Sequence, residues 1–275
     1  MPEGDTIFRA ARALHKALAG KTVTRFESVF PKLDRVDQDE PIAGRTLLGV
    51  EARGKHLLMH LSGGLSLRTH MRMSGSWHIY RPGEAWQRPR AQLRILLETA
   101  DFVAVAFLVH EAEWLREADM PRSRIAQLGP DLLSGDFDLE TAVSRMQARG
   151  GEPICDVLLD QRALAGIGNV YKSEVLFLAG VHPQQPVREL SGDQLRELAA
   201  LAQRLLRQNV HEDAPSSITT YRGLRRTTRR ADPGERLWVY GRAGKPCRRC
   251  GSAIIGTAAG KHVRKTYHCP RCQVL

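Results

Sequence analysis

Two pairs of cysteines, each spaced as C-x-x-C, constrain the last segment of this chain more than any other feature of its sequence. The pairs are Cys247 with Cys250 and Cys269 with Cys272, and eighteen residues separate them. This spacing is typical of a zinc ribbon, in which four thiolates hold one structural Zn²⁺ tetrahedrally. Four thiolates leave no coordination position open for water, so we expect the zinc to organise a hairpin and to take no part in a reaction.

The segment around these cysteines is also the most basic part of the chain. Residues 222–275 contain fourteen Lys and Arg against Asp232 and Glu235, a net charge of +12, whereas residues 1–221 have a net charge of −1. Charge of one sign around a metal knuckle favours a polyanion such as nucleic acid over a merely solvated face. Binding to nucleic acid is therefore the first functional hypothesis.

Composition bounds the class of protein. The chain has 275 residues, 42% of them hydrophobic, which is enough for two domains that each have a core. We expect no membrane span, and Glu3 and Asp5 stand where a signal peptide has basic and then apolar residues, so we expect a cytoplasmic protein. In a reducing compartment the paired cysteines are metal ligands and not disulfides, and lone Cys155 is expected to be a buried structural thiol.

Apolar periodicity predicts an α+β fold whose first half contains mostly strands. A helix over residues 3–19 is indicated by one apolar stripe, formed by Ile7, Ala11, Leu14 and Leu18. Short apolar runs between turns from residue 21 to residue 109 predict about six antiparallel strands in a sandwich or barrel. Residues 93–97 and 102–108 are expected to pair as a hairpin.

The second half is expected to be helical. Helical periodicity is present in four segments, 139–149, 154–159, 170–178 and 192–210, and the last of these follows a capping box. A Thr- and Arg-rich loop over 211–239 is either a functional flap or a disordered segment. We predict a β-sandwich domain with its N-terminal helix, a linker, a helical domain that includes this loop, and a zinc ribbon, over residues 1–120, 121–135, 136–240 and 241–275.

The first residues offer candidate chemistry. Pro2 suits the first turn of a helix, where no backbone donor is needed, and for Pro2 alone this is the more ordinary explanation. Removal of Met1, however, gives Pro2 a free secondary amine, and α-amino groups have pKa values of about 7.7–8.0 that a helix N-terminus lowers further. Such an amine can attack an electrophilic carbon and form an iminium, while Glu3 transfers protons. Glu3 alternatively only complements the helix dipole.

A second candidate site lies at a turn between two predicted helices. Gly166-Ile167-Gly168-Asn169 follows the run Leu158–Gln161 and precedes a helix. Backbone N–H groups and the Asn169 side chain at a helix N-terminus favour a phosphate. Alternatively, Asn169 only caps its helix and the glycines only close the turn.

Four motifs, in this order, resemble those of the bacterial formamidopyrimidine-DNA glycosylase and endonuclease VIII family of base-excision repair enzymes. They are the Met-Pro-Glu-Gly start, the run Gly54-Lys55-His56-Leu57-Leu58, the Leu-Leu-Asp-Gln and Gly-Ile-Gly-Asn turn, and the cysteine pairs ending at Gln273. The resemblance covers the whole chain. It implies a bifunctional DNA glycosylase and abasic-site lyase that acts, we expect as a monomer associated with the nucleoid, on double-stranded DNA with an oxidised base or an abasic site.

The resemblance also implies roles for matching residues. Pro2 is the expected nucleophile at C1′ of the damaged nucleotide, and Glu3 is expected to protonate the sugar ring oxygen. Lys55, on sequence alone only an exposed cation, is expected to contact the phosphates beside the lesion. Asn169 and Arg264 are expected to bind phosphate, with Arg264 at the tip of the ribbon hairpin. The reaction implied is excision through an iminium followed by β,δ-elimination.

A loop after residue 69 is expected, by the same resemblance, to fill the space that a flipped base leaves in the duplex. Arg72 and Met73 are the candidates for this wedge. The alternative is structural, because the alternation of apolar residues from Leu65 to Met73 also predicts a half-buried strand.

Two departures from the family pattern bear on specificity. Thr6 stands where many members have a second acid, and residues 110–113 lack the Arg-Phe pair of the oxidised-guanine branch. We therefore expect the endonuclease VIII-like branch, with oxidised pyrimidines favoured. Two other functions stay open: a non-catalytic protein that recognises damaged or abasic DNA, which retention of Met1 would produce, and a zinc-ribbon RNA-binding protein.

Overall fold

The computed structural model describes residues 2–211, 217–221, 235–259 and 264–275. The chain forms two units, Met1–Gln127 and Leu128–Leu275. Among the described residues, no helix combines the length and the apolar composition that crossing a membrane requires. Most of the Thr- and Arg-rich loop predicted over 211–239 lies outside the described residues.

The first unit begins with helix α1, Gly4–Leu18. Its predicted apolar stripe is confirmed, since Ile7, Ala11, Leu14 and Leu18 are at most 3% exposed. The helix ends before Gly20, which has a φ of 79°. Glycine adopts this left-handed conformation without steric cost, so Gly20 terminates the helix where the sequence predicted.

Two antiparallel sheets follow α1. Their strands are β1 (Val23–Ser28), β2 (Leu47–Arg53), β3 (His56–Leu61), β4 (Leu65–His70), β5 (Ser76–Tyr80), β6 (Leu93–Thr99), β7 (Val103–Phe107) and β8 (Glu111–Arg116). One sheet has the order β1-β6-β7-β5 and the other β2-β3-β4-β8. A single core contains residues of both sheets and of α1, which confirms the predicted sandwich. The predicted hairpin is confirmed as β6 and β7, with Glu98 opposite Val103.

Three elements of the first unit were not predicted. They are β1, β8 and a helix α2, Pro31–Asp39. Strands β1 and β8 are edge strands of their sheets, and β1 buries only Val23. In α2 only Leu33 is buried. A periodicity argument depends on several buried positions in one element, so it does not detect elements that bury one.

The second unit contains helices α3 (Leu139–Gln147), α4 (Ile154–Val157), α5 (Asn169–Ala179) and α6 (Gly192–Gln208). The four predicted helical segments are thereby confirmed. The capping box is also present, because Ser191 Oγ accepts from Gln194 N while Gln194 Oε1 accepts from Ser191 N. Cys155 is 1% exposed in the helical core, and burial raises the pKa of its thiol to about 11, as expected for a structural cysteine.

The second unit ends in a two-stranded ribbon. Strands β9 (Ile255–Ala259) and β10 (Arg264–His268) pair antiparallel. A small core beside them contains Phe177 of α5, Val239 and Ile254 together with two of the cysteines. Helix α5 therefore supports the ribbon directly.

Candidate functional site

The start of α1 places two buried carboxyl groups beside Pro2. Glu3 is the N-cap residue, with an extended backbone and no capping hydrogen bond from its side chain. Glu3 and Asp5 are both 0% exposed, and Pro2 is half-buried. The positive end of the helix dipole at this point stabilises carboxylates and disfavours a protonated amine. The helix dipole therefore favours the neutral form of the Pro2 amine.

Asp5 is a candidate site residue that the sequence analysis missed. Burial raises the pKa of its carboxyl group, and the charge of Arg9, whose Nη2 lies 3.5 Å from Asp5 Oδ2, opposes this rise. Thr6 Oγ1 donates to Asp5 Oδ1 at 3.5 Å. The chain thus has Thr6 where many family members have an acid, but it has a buried carboxyl group one residue earlier. The position of Asp5 beside the apolar stripe of α1 was the sequence signal that could have indicated its burial.

Lys55 lies in the two-residue turn that joins β2 to β3, between the paired residues Arg53 and His56. Gly54, the first residue of the turn, is buried and has a φ of 58°, a conformation that favours glycine. Lys55 is half-buried, so the description of it as only an exposed cation is wrong. The turn fixes the backbone at Lys55 beside the end of the sheet.

Two neutral histidines lie opposite each other at this end of β3 and β4. His56 pairs in register with His70, and their ring centroids are 4.9 Å apart. Burial, together with neighbouring positive charges, lowers the pKa of His56 to about 3 and that of His70 to about 4. Arg68 Nη1 donates to His56 Nδ1 at 2.9 Å, and Arg68 Nε donates to Glu113 at 2.5 Å. Both imidazoles are therefore hydrogen-bond acceptors or neutral donors at pH 7.

A tight turn follows β4, which ends at His70, so the alternative prediction of a strand continuing to Met73 is wrong. Met71 is 2% exposed, whereas Met73 is 64% exposed. Gly75 N donates to Met71 O at 2.9 Å, and a Cβ on Gly75 would lie 2.5 Å from that oxygen. Only glycine fits at this position, and the turn presents a large apolar side chain to solvent.

Arg72, at the tip of this turn, has a left-handed φ of 53°. Its backbone N–H donates to His70 Nδ1 at 3.1 Å, and its guanidinium pairs with Glu111 at the start of β8. The first contact requires His70 to be neutral, which its lowered pKa provides. The two contacts hold Arg72 in a defined conformation.

The turn before α5 is closed by Gln161, the last residue of the Leu-Leu-Asp-Gln motif. Its Oε1 accepts from Gly166 N at 3.0 Å, and its Nε2 donates to the carbonyl groups of Leu159 and Ile167. The N-cap of α5 is Gly168, and no side chain caps the helix. The alternative prediction that Asn169 caps α5 is therefore wrong.

The Asn169 side chain instead joins α5 to the ribbon. Its Nδ2 donates to the carbonyl oxygen of Lys265 in β10 at 2.9 Å, and its Oδ1 accepts from Lys172 Nζ at 2.7 Å. Lys172 Nζ also donates to Thr266 Oγ1 at 2.7 Å. Lys172 is 1% exposed and was missed, because a lysine in a helix is normally a surface residue. The lysine stands in a helix that is apolar at most of its positions, and this was the available signal.

Arg264 is the first residue of β10, where it pairs with Ala259, and it is exposed. The residues expected at the hairpin tip beside it, 260–263, lie outside the described part of the chain. Arg264 precedes Lys265, whose carbonyl oxygen binds Asn169. The structure thereby brings two predicted phosphate-binding residues, Asn169 and Arg264, to one region of the second unit.

The four predicted metal ligands form one cluster. The Sγ atoms of Cys247, Cys250, Cys269 and Cys272 all lie within 4.8 Å of one another. The Cys250–Cys269 and Cys247–Cys272 sulfur distances are 3.4 and 4.0 Å. A tetrahedral zinc site with Zn–S bonds of about 2.3 Å has sulfur separations of about 3.8 Å, so this donor set fits. Hydrogen bonds from Ser252 lower the pKa of the Cys250 thiol to about 6, whereas burial and the neighbouring thiols raise the pKa values of Cys269 and Cys272.

Comparison with known proteins covers both units. Residues 1–117 match the family model of the formamidopyrimidine-DNA glycosylase N-terminal domain, and residues 128–221 match that of the formamidopyrimidine-DNA glycosylase H2TH domain. The Streptomyces coelicolor protein named "Probable endonuclease 8 2" is 46% identical over 276 residues, which cover 99% of this chain and 94% of the relative. This chain belongs to the formamidopyrimidine-DNA glycosylase and endonuclease 8 family. The resemblance inferred from the motifs is confirmed.

Further relatives of this glycosylase family agree. The Mycolicibacterium smegmatis protein named "DNA-(apurinic or apyrimidinic site) lyase Nei2" is 40% identical, with 99% of both chains covered. The crystal structure of Lactococcus lactis formamidopyrimidine-DNA glycosylase, non-covalently bound to DNA containing an abasic site, matches with a TM-score of 0.81 at 23% identity and covers 100% of both chains. The structural match confirms the predicted fold.

The predicted site residues of this family member fall into two groups. Five of them lie in the first unit: Pro2, Glu3, Lys55, Arg72 and Met73. The phosphate-binding candidates and the four cysteines lie in the second. The first group lies within the first matched domain. In the second group Asn169 lies within the second matched domain, and the residues of the ribbon lie beyond the matched residues.

Proposed function

We propose that this enzyme excises oxidised bases, with pyrimidines favoured, from double-stranded DNA and then cleaves the strand at the resulting abasic site. The observation that supports this most is the buried carboxyl group of Glu3 directly after Pro2 at the start of α1. An amine and an acid at one helix N-terminus are the two groups that iminium chemistry requires. The names of the relatives, endonuclease 8 and abasic-site lyase, support the same reaction class.

In the first step, the nucleophile is the secondary amine of Pro2 after removal of Met1. Its lone pair forms a bond to C1′ of the damaged nucleotide, and the base leaves with the electrons of the glycosidic bond. Glu3 then protonates the ring oxygen as the bond between C1′ and that oxygen breaks. The Pro2 nitrogen loses its proton to the departing base, and the lone pair thereby restored forms the iminium double bond. The α1 dipole favours this step because it keeps the free amine neutral.

In the second step, the iminium makes the C2′ hydrogen acidic. Loss of this proton to a base, a role we assign to Glu3, expels the 3′ phosphate, and a further elimination expels the 5′ phosphate. Water then hydrolyses the imine and frees Pro2. Lys55, half-buried in its turn, contacts the phosphates beside the lesion and offsets their charge.

The second unit and the turn after β4 hold the DNA in a flipped conformation. Taking a base out of the stack costs a few kcal/mol, roughly, which phosphate contacts on both sides offset. Asn169 and Arg264 provide such contacts from the second unit, while Arg72 and Met73 occupy the space left in the duplex. Residues 1–120 then form the catalytic domain, and 136–240 the DNA-binding domain.

The ribbon over residues 241–275 takes one structural Zn²⁺ on its four cysteines. The ion would cross-link the β9–β10 hairpin. It would supply no reaction chemistry, because four thiolates fill its coordination positions. The β8 segment supports the pyrimidine preference, since Glu111 and Ala112 stand in a region where the oxidised-guanine branch has Arg and Phe. Glu111 is paired with Arg72.

Borohydride trapping tests the proposal. Protein whose intact mass shows that Met1 is absent is incubated with an abasic-site duplex and borohydride, and we expect a covalent adduct whose proteolytic fragment maps to Pro2. The matched control is the same chain with Met1 retained, in which the Pro2 nitrogen is an amide without a nucleophilic lone pair. Tight binding without an adduct from the mature protein would establish the non-catalytic alternative. Excision from a panel of oxidised pyrimidines and purines then assigns the preferred lesion.

A further inference from the structure

A buried lysine next to the proposed phosphate-binding asparagine has no role in the reaction described above. Lys172 follows Asn169 by three residues on α5, so both side chains lie on the same face of the helix. Its ammonium group donates to Asn169 Oδ1 and to Thr266 Oγ1, each at 2.7 Å, and Lys172 is 1% exposed. Burying an ammonium group is costly unless hydrogen bonds satisfy it, so these bonds are strong determinants of the local structure.

The ammonium group determines which way the Asn169 carboxamide points. A lysine has only donors, so the atom that faces Lys172 must be the carboxamide oxygen. The nitrogen is then on the opposite side, where it donates to the Lys265 carbonyl oxygen at 2.9 Å. A carboxamide nitrogen has two hydrogens, and this carbonyl uses one of them. Within the described part of the chain nothing else accepts from this nitrogen, so its second hydrogen can be donated to an anion.

We propose that Lys172 is a positioning residue that fixes the Asn169 carboxamide with its N–H donor, and not its oxygen, toward a DNA phosphate. The proposal rests on the phosphate-binding role proposed for Asn169. Without Lys172, only the Lys265 carbonyl oxygen still selects this orientation, so the carboxamide is held less firmly and its N–H donor is less well aimed at the phosphate.

A double-mutant cycle tests this directly. The variants are Lys172→Met, Asn169→Ala, and the two together. Methionine is one atom shorter than lysine, fills most of the same space and has no donors. Affinity is measured for a duplex with a tetrahydrofuran abasic analogue, which cannot react. We expect each single variant to weaken binding about tenfold, the effect of one hydrogen bond to a charged group. The double variant should equal Asn169→Ala alone, because Lys172 acts only through the amide.

Two controls separate positioning from general damage. Ser173→Ala removes a bond across the same contact of α5 with β10, since Ser173 Oγ accepts from Tyr267 N at 3.4 Å. It also removes the bond from Ser173 Oγ to the Asn169 backbone carbonyl at 3.1 Å, but it leaves the contacts of the Asn169 carboxamide in place. This variant should bind the duplex like the parent protein. The salt dependence of Lys172→Met should also keep the parent slope, because a lysine that itself neutralised a phosphate would lower it by about 0.9.

The outcomes are distinguishable. If Asn169→Ala binds the duplex normally, the proposed role of Asn169 fails, and the positioning role with it. If Asn169→Ala weakens binding but Lys172→Met does not, or if the two effects multiply in the double variant, only the positioning role is overturned. A lower salt slope for Lys172→Met would overturn it as well, since Lys172 would then bind phosphate itself. Thermal unfolding and metal content establish that each variant is folded.

Discussion

Substitution of Glu174 is expected to reduce the stability of the second unit more than any other single substitution outside the cysteines. Its carboxylate is 0% exposed. Oε1 accepts from the backbone N–H groups of Val239 and Tyr240, both at 2.9 Å, and Oε2 accepts from Trp238 N at 2.8 Å and from the Thr220 hydroxyl. One side chain of α5 thereby anchors the segment that leads into the ribbon.

The magnitude follows from the hydrogen-bond pattern. Each carboxylate oxygen accepts two bonds, so Glu174→Gln converts one acceptor of two bonds into an N–H₂ donor, whichever way the new amide points. Hydrogen bonds to a charged group contribute about 1.5–3 kcal/mol each, so we expect a loss of about 3–6 kcal/mol in the free energy of unfolding. This is a large share of the ~5–15 kcal/mol that a typical domain has.

Thermal unfolding with saturating zinc measures this loss. A change of this size lowers the Tm of a domain of 150–250 residues by about 6–24 °C. Binding of the abasic-analogue duplex should weaken in parallel, because the ribbon loses its anchor on α5. The matched control is Thr220→Val, which removes one of the four donors and should cost only about 1.5–3 kcal/mol. A Glu174→Gln protein as stable as Thr220→Val would refute the reasoning, since two lost bonds would then have no measurable cost.

Three further predictions concern the metal, pH and the wedge. Chelation, or Cys247→Ser, should weaken binding of the abasic-analogue duplex at least tenfold, and active protein with well below one zinc per chain by metal analysis would contradict the ribbon. The pKa values of His56 and His70, about 3 and 4, lie below the ordinary value of 6.5, so the folded state binds fewer protons than the unfolded one. Stability is therefore full above about pH 6.5 and falls toward pH 4 by up to ~1.4 kcal/mol per pH unit per histidine, which denaturant titration at several pH values measures. Met73→Ala should slow excision from duplex DNA about tenfold but leave cleavage of an abasic site in a single strand unchanged; equal loss on both substrates would argue against a wedge.

Sequence patterns predicted the elements whose burial is one-sided and regular. The α1 stripe, the β6–β7 hairpin and the Ser191 capping box each depend on contacts within one element or between sequence neighbours, and all three are present. The edge strand β1 and the polar helix α2 were missed because each buries a single apolar residue. Apolar periodicity predicts a helix or strand only when several residues of that element share one pattern of burial.

The candidate site could be predicted only where the residue types themselves indicate the chemistry. The four cysteines and the Pro2-Glu3 pair were found from spacing and reactivity. Asp5 and Lys172 were not found, because their importance comes from burial. Charged side chains are normally exposed, so a sequence pattern does not predict that these two are buried. The exposed turn at Met73 was ambiguous for a related reason, since the strand pattern continues in the sequence after the strand has ended at His70.

Helix α5 contains both a predicted site residue, Asn169, and a missed one, Lys172. The helix is buried on nearly every side from Asn169 to Phe177, yet it contains buried polar groups, among them Lys172 and Glu174. Well-packed apolar residues at such positions are often equally or more stabilising, so hydrogen bonding there is better understood as fixing geometry. Asn169 and Lys172 join the helix to β10, and Glu174 joins it to residues 238–240. Because these anchors lie within six residues of one rigid helix, a shift of the ribbon must move the Asn169 carboxamide. Loss of the metal should therefore weaken phosphate binding at Asn169 as well as at Arg264.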